Sequence, residues 1–327
     1  TFGYCGQNVR WEMTDAETLK LTGTGAMYDY DLGSYISQNT AAEPWNAYVG
    51  QIKTVTVSNG ITRIGSWAFG ECKWLATVSL PDSVTDIGES AFYCCIALKN
   101  FSLPNRLRTI GSSAFYICKA LSSVVFPATL TEIGSFAFWG CHKLNSVTVP
   151  AGVTNIGEAA FAYCLALTAI NVNTSNSVYC DSDGVLYNKN KTTLLQCPSG
   201  KTNETFSIPA SVTVIPANAV FDCDNLKYVT MIGEKAFFDC ANLETITIPR
   251  SVTGIGDAAF AYDNSMTDVY YGGSYSEWQK ISIGSQNDGI NNAEKHYSSG
   301  GTDTTNPTGS ISATNNVASS QTVTLSL

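Results

Sequence analysis

Val84-Thr85-Asp86-Ile87-Gly88-Glu89-Ser90-Ala91-Phe92-Tyr93-Cys94-Cys95-Ile96-Ala97-Leu98 is the stretch whose copies fill most of the chain. Ile-Gly pairs stand at 64/65, 87/88, 110/111, 133/134 and 156/157, each 23 residues after the last. Phe69, Phe92, Phe115, Phe138 and Phe161 keep that step, as do Cys72, Cys95, Cys118, Cys141 and Cys164. Leu75, Leu98, Leu121, Leu144 and Leu167 follow at the same interval. A fixed period of this size is the signature of a solenoid, because one short unit cannot bury its apolar stripe without the next.

Each unit opens with an alternating run such as Leu75-Ala76-Thr77-Val78-Ser79-Leu80. Its apolar positions share one face of an extended chain while Thr77 and Ser79 share the other, which predicts one β-strand per repeat. Pro81, Pro104, Pro127, Pro150, Pro209 and Pro249 end the strands by removing the next donor, and the Gly after each Ile suits a tight turn. Stacked copies then place their strands in a parallel sheet along one side, with the recurring Phe and Cys filling the space behind.

The order of strand, Pro, Ile-Gly, Ala-Phe and Cys resembles the BspA-type leucine-rich repeat over about residues 51 to 271. The resemblance implies an α/β-type repeat solenoid, β-rich and right-handed, with one short parallel strand per 23-residue repeat and a β cap at its start. The segment before the repeats is similar to the one that precedes them in many bacterial surface proteins: here Cys5, Gly6, Trp11, Gly23 to Met27, Pro44 and Trp45. The Gly-Gly-Ser and Trp278 that follow the last repeat are similar to the family's usual ending.

The expected organisation is a cap over residues 1–50 and a solenoid over 51–299, with a terminal cap from about 272. Between Ile156 and Ile215 the step grows to 59, so a β insertion is expected at about 173–205, with Asp183-Gly184 as a hairpin turn. From Ile215 to Ile232 the step shrinks to 17 and Val220 replaces Phe, which predicts a local irregularity. Asp263 takes the Cys position of the coil at Ile255, marking that coil as the opening of the terminal edge. Residues 300–327 read as a Ser/Gly/Thr-rich linker and the start of a truncated β domain.

Composition excludes several function classes. With charged residues at 14%, a net charge of -9 and a pI near 4.7, there is no basic footprint for nucleic acid or anionic lipid. No apolar run reaches the roughly 18 residues a membrane helix needs. Residues 1 to 20 lack the regions of a signal peptide, so the chain reads as mature or trimmed. Seven of the 11 cysteines (72, 95, 118, 141, 164, 223 and 240) share one repeat position, where packing as a small hydrophobe explains them. Cys180 and Cys197 flank the predicted hairpin and could pair.

No catalytic motif appears. The two histidines, His142 and His296, are isolated, and no nucleophile elbow, phosphate loop or His-Glu-x-x-His is present. Asp29 with Asp31, and the Asp181-Ser182-Asp183-Gly184 turn, lack the remaining oxygens of a calcium site and read as solvated turns. No cofactor or metal is therefore expected.

Two surfaces remain as candidate binding faces. The outer face of the sheet would carry Thr77, Ser79, Asn100, Ser102, Ser123, Val125, Ser146 and Thr148, a row of mostly small hydroxyls that could receive a protein or glycan but also suits any soluble strand. The position after Phe holds Tyr93, Tyr116 and Trp139 in successive coils, an aromatic row about 10 Å long at sheet spacing. That row could stack on sugars or anchor a protein, or simply pack between repeats. The resemblance implies an adhesin-like bacterial protein, extracellular or on the cell surface, that binds host matrix proteins, mucosal glycoproteins or other microbes. The alternatives are a carbohydrate-binding or substrate-tethering module of a larger secreted protein, and a spacer.

Overall fold

A computed structural model describes residues 1–31, 43–201, 211–212, 214–216, 218–219, 231–238, 240, 243–248 and 250–298. Contacts divide the chain into two units, Thr1–Lys189 with Gln196–Lys201, and Asn190–Leu195 with Thr202–Leu327. The expected linker and truncated domain at 300–327, and most of the irregularity expected around Val220, lie outside the described residues.

The first unit begins with three antiparallel strands, β1 (Phe2–Tyr4), β2 (Asn8–Met13) and β3 (Thr18–Ala26). In β3, buried Leu19 and Leu21 alternate with solvent-facing neighbours, as a half-buried strand requires. The first part of β3 pairs in parallel with β4 (Thr54–Val57), and its end pairs with β5 (Ile61–Ile64). One strand of the cap thus carries the first rung of two ladders.

The first ladder continues from β4 to β6 (Thr77–Ser79) and β8 (Asn100–Phe101). The second runs from β5 through β7 (Asp86–Ile87), β9 (Thr109–Ile110) and β10 (Glu132–Ile133) to β12 (Asn155–Ile156). In most repeats the expected strand is therefore joined by a second, short strand ending at the Ile of Ile-Gly. The first ladder resumes as β11 (Ser146–Val149) paired in parallel with β13 (Ala169–Val172).

A third row of hydrogen bonds joins the coils through the turn that carries Ala-Phe. The N–H groups of Ser90, Phe92 and Cys94 donate to the carbonyls of Ser112, Ala114 and Tyr116 one coil on, at 2.7–2.8 Å. Residues such as Ser90, Ser113 and Phe136 before the Ala, and Cys94, Ile117 and Tyr163 before the ladder Cys, have φ of 53–57°. That left-handed backbone is costly for non-glycine residues and persists because the inter-coil bonds over-determine it.

The core is a spine of rings. Trp45 stacks on Phe69 at 5.6 Å, and Phe69, Phe92, Phe115, Phe138 and Phe161 follow at centroid spacings of 5.1–5.7 Å. Beside it the thiols of Cys95, Cys118, Cys141 and Cys164 donate to the carbonyls of Phe69, Phe92, Phe115 and Phe138 at 3.1–3.3 Å. Cys suits this position because it is small, apolar and still offers a weak donor to a buried carbonyl.

The insertion closes the first unit. β14 (Tyr179–Ser182) and β15 (Val185–Asn188) form a hairpin whose turn residues, Asp183 and Gly184, have φ of 52° and 74°, as a type I′ turn demands. The Tyr179 hydroxyl accepts from Ile156 N at 2.9 Å, taking the place of a next strand beside β12. Buried Asn176 donates to the carbonyls of Pro150 and Val153 and accepts from the amides of Val178 and Tyr179.

In the second unit, Val214–Ile215, Met231–Ile232, Gly254–Ile255 and Ser282–Ile283 form one parallel ladder. The shortened 17-residue step between Ile215 and Ile232 still closes on the same rung. Thr245–Ile248, Asp268–Tyr271 and Glu294–Tyr297 form a second parallel ladder. The coil at Ile255 is therefore followed by a further turn, contrary to its expected place at the terminal edge, and Asp263 is buried within it. Short helices at Tyr275–Trp278 and Asp288–Asn292 lie within that last turn.

Candidate functional site

Along the outer face of the first ladder, Thr77, Ser79, Ser102, Ser123, Val125, Ser146 and Thr148 are all exposed. Asn100 contributes backbone to β8, and its side chain lies outside the described residues. The face is not one uninterrupted sheet. Ladder pairing stops at β8 and restarts at β11, so residues 122–126 join neither neighbour.

The cause lies behind the strand. Phe101 stands where Val78 and Val147 stand in other coils, and its ring meets Phe92 and Phe115 at 5.5 and 4.9 Å. Phe126 stands where Leu80 and Val149 stand, and meets Phe138 and Phe161 at 5.6 and 6.2 Å. Two oversized rings in adjacent coils hold the intervening backbone off the ladder.

The lapse opens a groove of about 470 Å³. Ser123, Val125, Ser146 and Thr148 line it, with Asn145 and Asn173. Four of the eight expected face residues are thus brought to one recess, while Thr77, Ser79 and Ser102 lie elsewhere along the face. Val125 is 83% exposed, an isopropyl group in water at the groove's edge. With no ladder partner for residues 122–126, backbone donors and acceptors sit next to an apolar contact point. A site that combines shape, one apolar anchor and main-chain polarity is suited to binding.

The aromatic row is longer than the sequence suggested. Tyr93, Tyr116 and Trp139 stack at 4.9 and 4.7 Å with planes within 8° of parallel. Trp67 and Tyr163 extend the row at 5.0 Å on either end. Neither keeps the 23-residue step relative to its neighbour, so a search at fixed period passes over both. Parallel rings this close cannot lie in one plane, so their faces turn toward each other and a ligand meets mainly edges and hydroxyls. Burial raises the phenol pKa of both Tyr93 and Tyr116. His142 sits edge-on to Tyr163 at 5.2 Å, and burial followed by the charge of Lys119 lowers its pKa.

The other sequence candidates resolve as structure. Asp29 accepts from Arg63 Nη1 and Ser66 N at 2.6 and 2.7 Å, bracing the cap against the first coil. Asp181 accepts from Val172 N, and Asp183 pairs with Lys201 Nζ, both at 2.8 Å. Cys180 does not pair with Cys197: Cys197 is disulfide-bonded, whereas Cys180 is a thiol whose Sγ donates to Asn188 O at 3.2 Å. The turn at Asp183-Gly184 directs Cys180 toward the far end of its own hairpin.

The repeat matches the family model described as BspA type leucine rich repeat region, in 6 copies over residues 47–178 and 197–283. The chain belongs to this family. Its fold is similar to a leucine-rich repeat protein from Eubacterium ventriosum, with a TM-score of 0.73, 28% identity and coverage of 83% of this chain and 72% of that one. It is also similar to a leucine rich cell surface protein from Faecalibacterium prausnitzii, with a TM-score of 0.58, 23% identity and coverage of 85% and 97%. The pneumococcal vaccine antigen PcpA shares the fold at a TM-score of 0.65 and 18% identity, covering 88% and 86%. No curated protein matches the chain. Among the described residues of this BspA-type chain, no helix is long and apolar enough to cross a membrane.

Proposed function

We propose that this chain is a non-enzymatic recognition protein of the bacterial cell surface that binds an extracellular protein or glycoprotein, adhesin-like, through the outer face of its first ladder. The groove at Ser123, Val125, Ser146 and Thr148 carries the reading, because it joins an exposed apolar anchor to backbone groups that have no ladder partner. An extended polypeptide offers the matching main-chain donors and acceptors. The family supports the location, and a neighbour of the same fold is itself named a cell surface protein.

The test is equilibrium binding of the purified chain to immobilised matrix proteins, mucins and polysaccharides. Saturable binding to a protein or glycoprotein, lost on bulky charged substitution at Ser123 and Thr148, is the expected result. Binding to polysaccharides alone, abolished by Tyr116→Ala with Trp139→Ala, overturns it in favour of a carbohydrate-binding module. No saturable binding to any of the panel also counts against it and favours a spacer.

A further inference from the structure

The last two strands of the second ladder bring together three side chains that no sequence motif links. Asp268 pairs in register with Glu294, and Tyr270 pairs with His296. Side chains two apart on a strand share a face, so both acids and the histidine stand on one side of the sheet. Their ligand atoms lie within 4.8 Å of one another. His296 Nε2 is 2.6 Å from Asp268 Oδ1, and its ring lies on Tyr270 at a centroid distance of 4.6 Å, tilted by 19°. The Thr267 hydroxyl donates to Asp268 Oδ2 at 2.7 Å. The stacked ring and the hydroxyl fix the orientation of the donors before any ion arrives.

We propose that Asp268, Glu294 and His296 form a binding site for a borderline divalent cation, Zn²⁺. Two carboxylates at directly paired positions repel each other unless positive charge lies between them. One imidazole with two carboxylates is a donor set for a borderline ion, while calcium takes six to eight oxygens. A tetrahedral zinc with bonds of about 2.0 Å holds its ligands about 3.3 Å apart. Seating the ion therefore needs His296 Nε2 and Asp268 Oδ1, now 2.6 Å apart, to separate by about 0.7 Å, within the reach of side-chain rotation. Three protein ligands leave the fourth position to water or to a partner's donor. Because the ligands come from neighbouring strands, the ion ties Glu294–Tyr297 to Asp268–Tyr271 and stabilises the last turn.

The probe is zinc chloride titrated calorimetrically into the full chain at neutral pH, in a Cys94→Ser, Cys180→Ser background that removes the two thiols at partly accessible positions among the described residues. The expected result is one saturable site of micromolar Kd, weakened at least tenfold by His296→Asn and by Glu294→Gln, with a zinc-dependent rise in Tm that both substitutions remove. Circular dichroism of the zinc-free variants checks that they fold, and Asp257→Asn, away from the cluster, is expected to leave binding intact. Absence of a saturable site, an affinity indifferent to His296→Asn, or binding of calcium in preference to zinc would overturn the proposal.

Discussion

Gly111 adopts no left-handed φ, yet no other residue fits there. A Cβ on it would stand 2.6 Å from Glu89 N and 2.7 Å from Gly88 C in the preceding coil, and Gly88, Gly134 and Gly157 are hemmed in the same way. The Ile-Gly repeat is plain in the sequence, and a turn does open at each of these glycines, with Ala114 N donating to Gly111 O at 3.3 Å, but that turn alone does not demand glycine. The glycine is needed because adjacent coils approach at that point, a relation between chains of sequence 23 residues apart that no local pattern displays. Gly111→Ala is expected to cost about 3 kcal/mol, the upper part of the range for overpacking, because the clash is with backbone that cannot rotate away. Denaturant unfolding measures it. Phe115→Ala removes a central ring of the spine and is expected to cost about 3 to 5 kcal/mol.

The ladder thiols make a residue-scale prediction about pH. Burial raises the pKa of Cys72, Cys95, Cys118 and Cys141 above the ordinary value of 9.0. As pH climbs past 9.0, the unfolded chain releases protons that the folded chain keeps, so stability is fully present below that value and falls above it. Each thiol contributes a slope of about 1.4 kcal/mol per pH unit until its folded value is reached. Denaturation midpoints measured from pH 7 upward should be flat at first and then decline, with a smaller decline for Cys118→Ala. In native protein, iodoacetamide should label Cys94 and Cys180 and spare the ladder. Burial and then Glu71 push Cys94 up to about 11, so its labelling rate should rise about tenfold per pH unit below that value.

At the scale of the element, residues 121–127 show where alternation stops being informative. Val124 and Phe126 alternate with Ser123 and Val125 well enough to read as another strand, and with Leu121 they are indeed buried. Whether a ladder forms depends on the volumes of Phe101 and Phe126 packed against the rings of adjoining coils, which a period-two pattern does not record. The two-residue strands at Ile87, Ile110 and Ile133 escaped for the opposite reason, being too short to show alternation. The face residues were legible in sequence; the groove that gathers four of them was not. Amide hydrogen exchange should separate the cases. Ser123, Val124 and Val125 are expected to exchange orders of magnitude faster than Val147 and Val149, whose N–H groups face β13. Equal protection would mean that the ladder runs through and the groove is closed.

For the whole molecule, stability depends on how the rows of hydrogen bonds end. Within the repeats, the N–H groups of Phe69, Phe92, Phe115 and Phe138 donate to the Ala carbonyl one coil on, as Phe237 does to Ala259. At the start of the first unit the Trp45 indole donates to Ala68 O at 2.9 Å, supplying the donor that a preceding coil would give. In the second unit Phe260 N finds Asn287 Oδ1 at 2.9 Å in place of a next Ala, while Asn287 Nδ2 reaches Gly256 O and Gly284 O. The Pro-Trp segment was visible as part of a cap, but the role of Asn287 was not, since an isolated Asn has no period. Trp45→Phe keeps the stack and loses the donor, so a cost of about 1 to 3 kcal/mol is expected from a buried carbonyl left unpaired.

Recognition through the groove is the central claim at this scale, and the most direct measurement is the affinity of Val125→Asp for the extracellular protein that the wild-type chain binds. Val125 packs on nothing that stability requires, being 83% exposed, so the variant's Tm should match the wild type. The account predicts a Kd at least tenfold weaker, about 1.4 kcal/mol, from a charge placed at the groove's apolar anchor. An unchanged Kd in a fully folded variant would contradict it and move the binding surface away from this face.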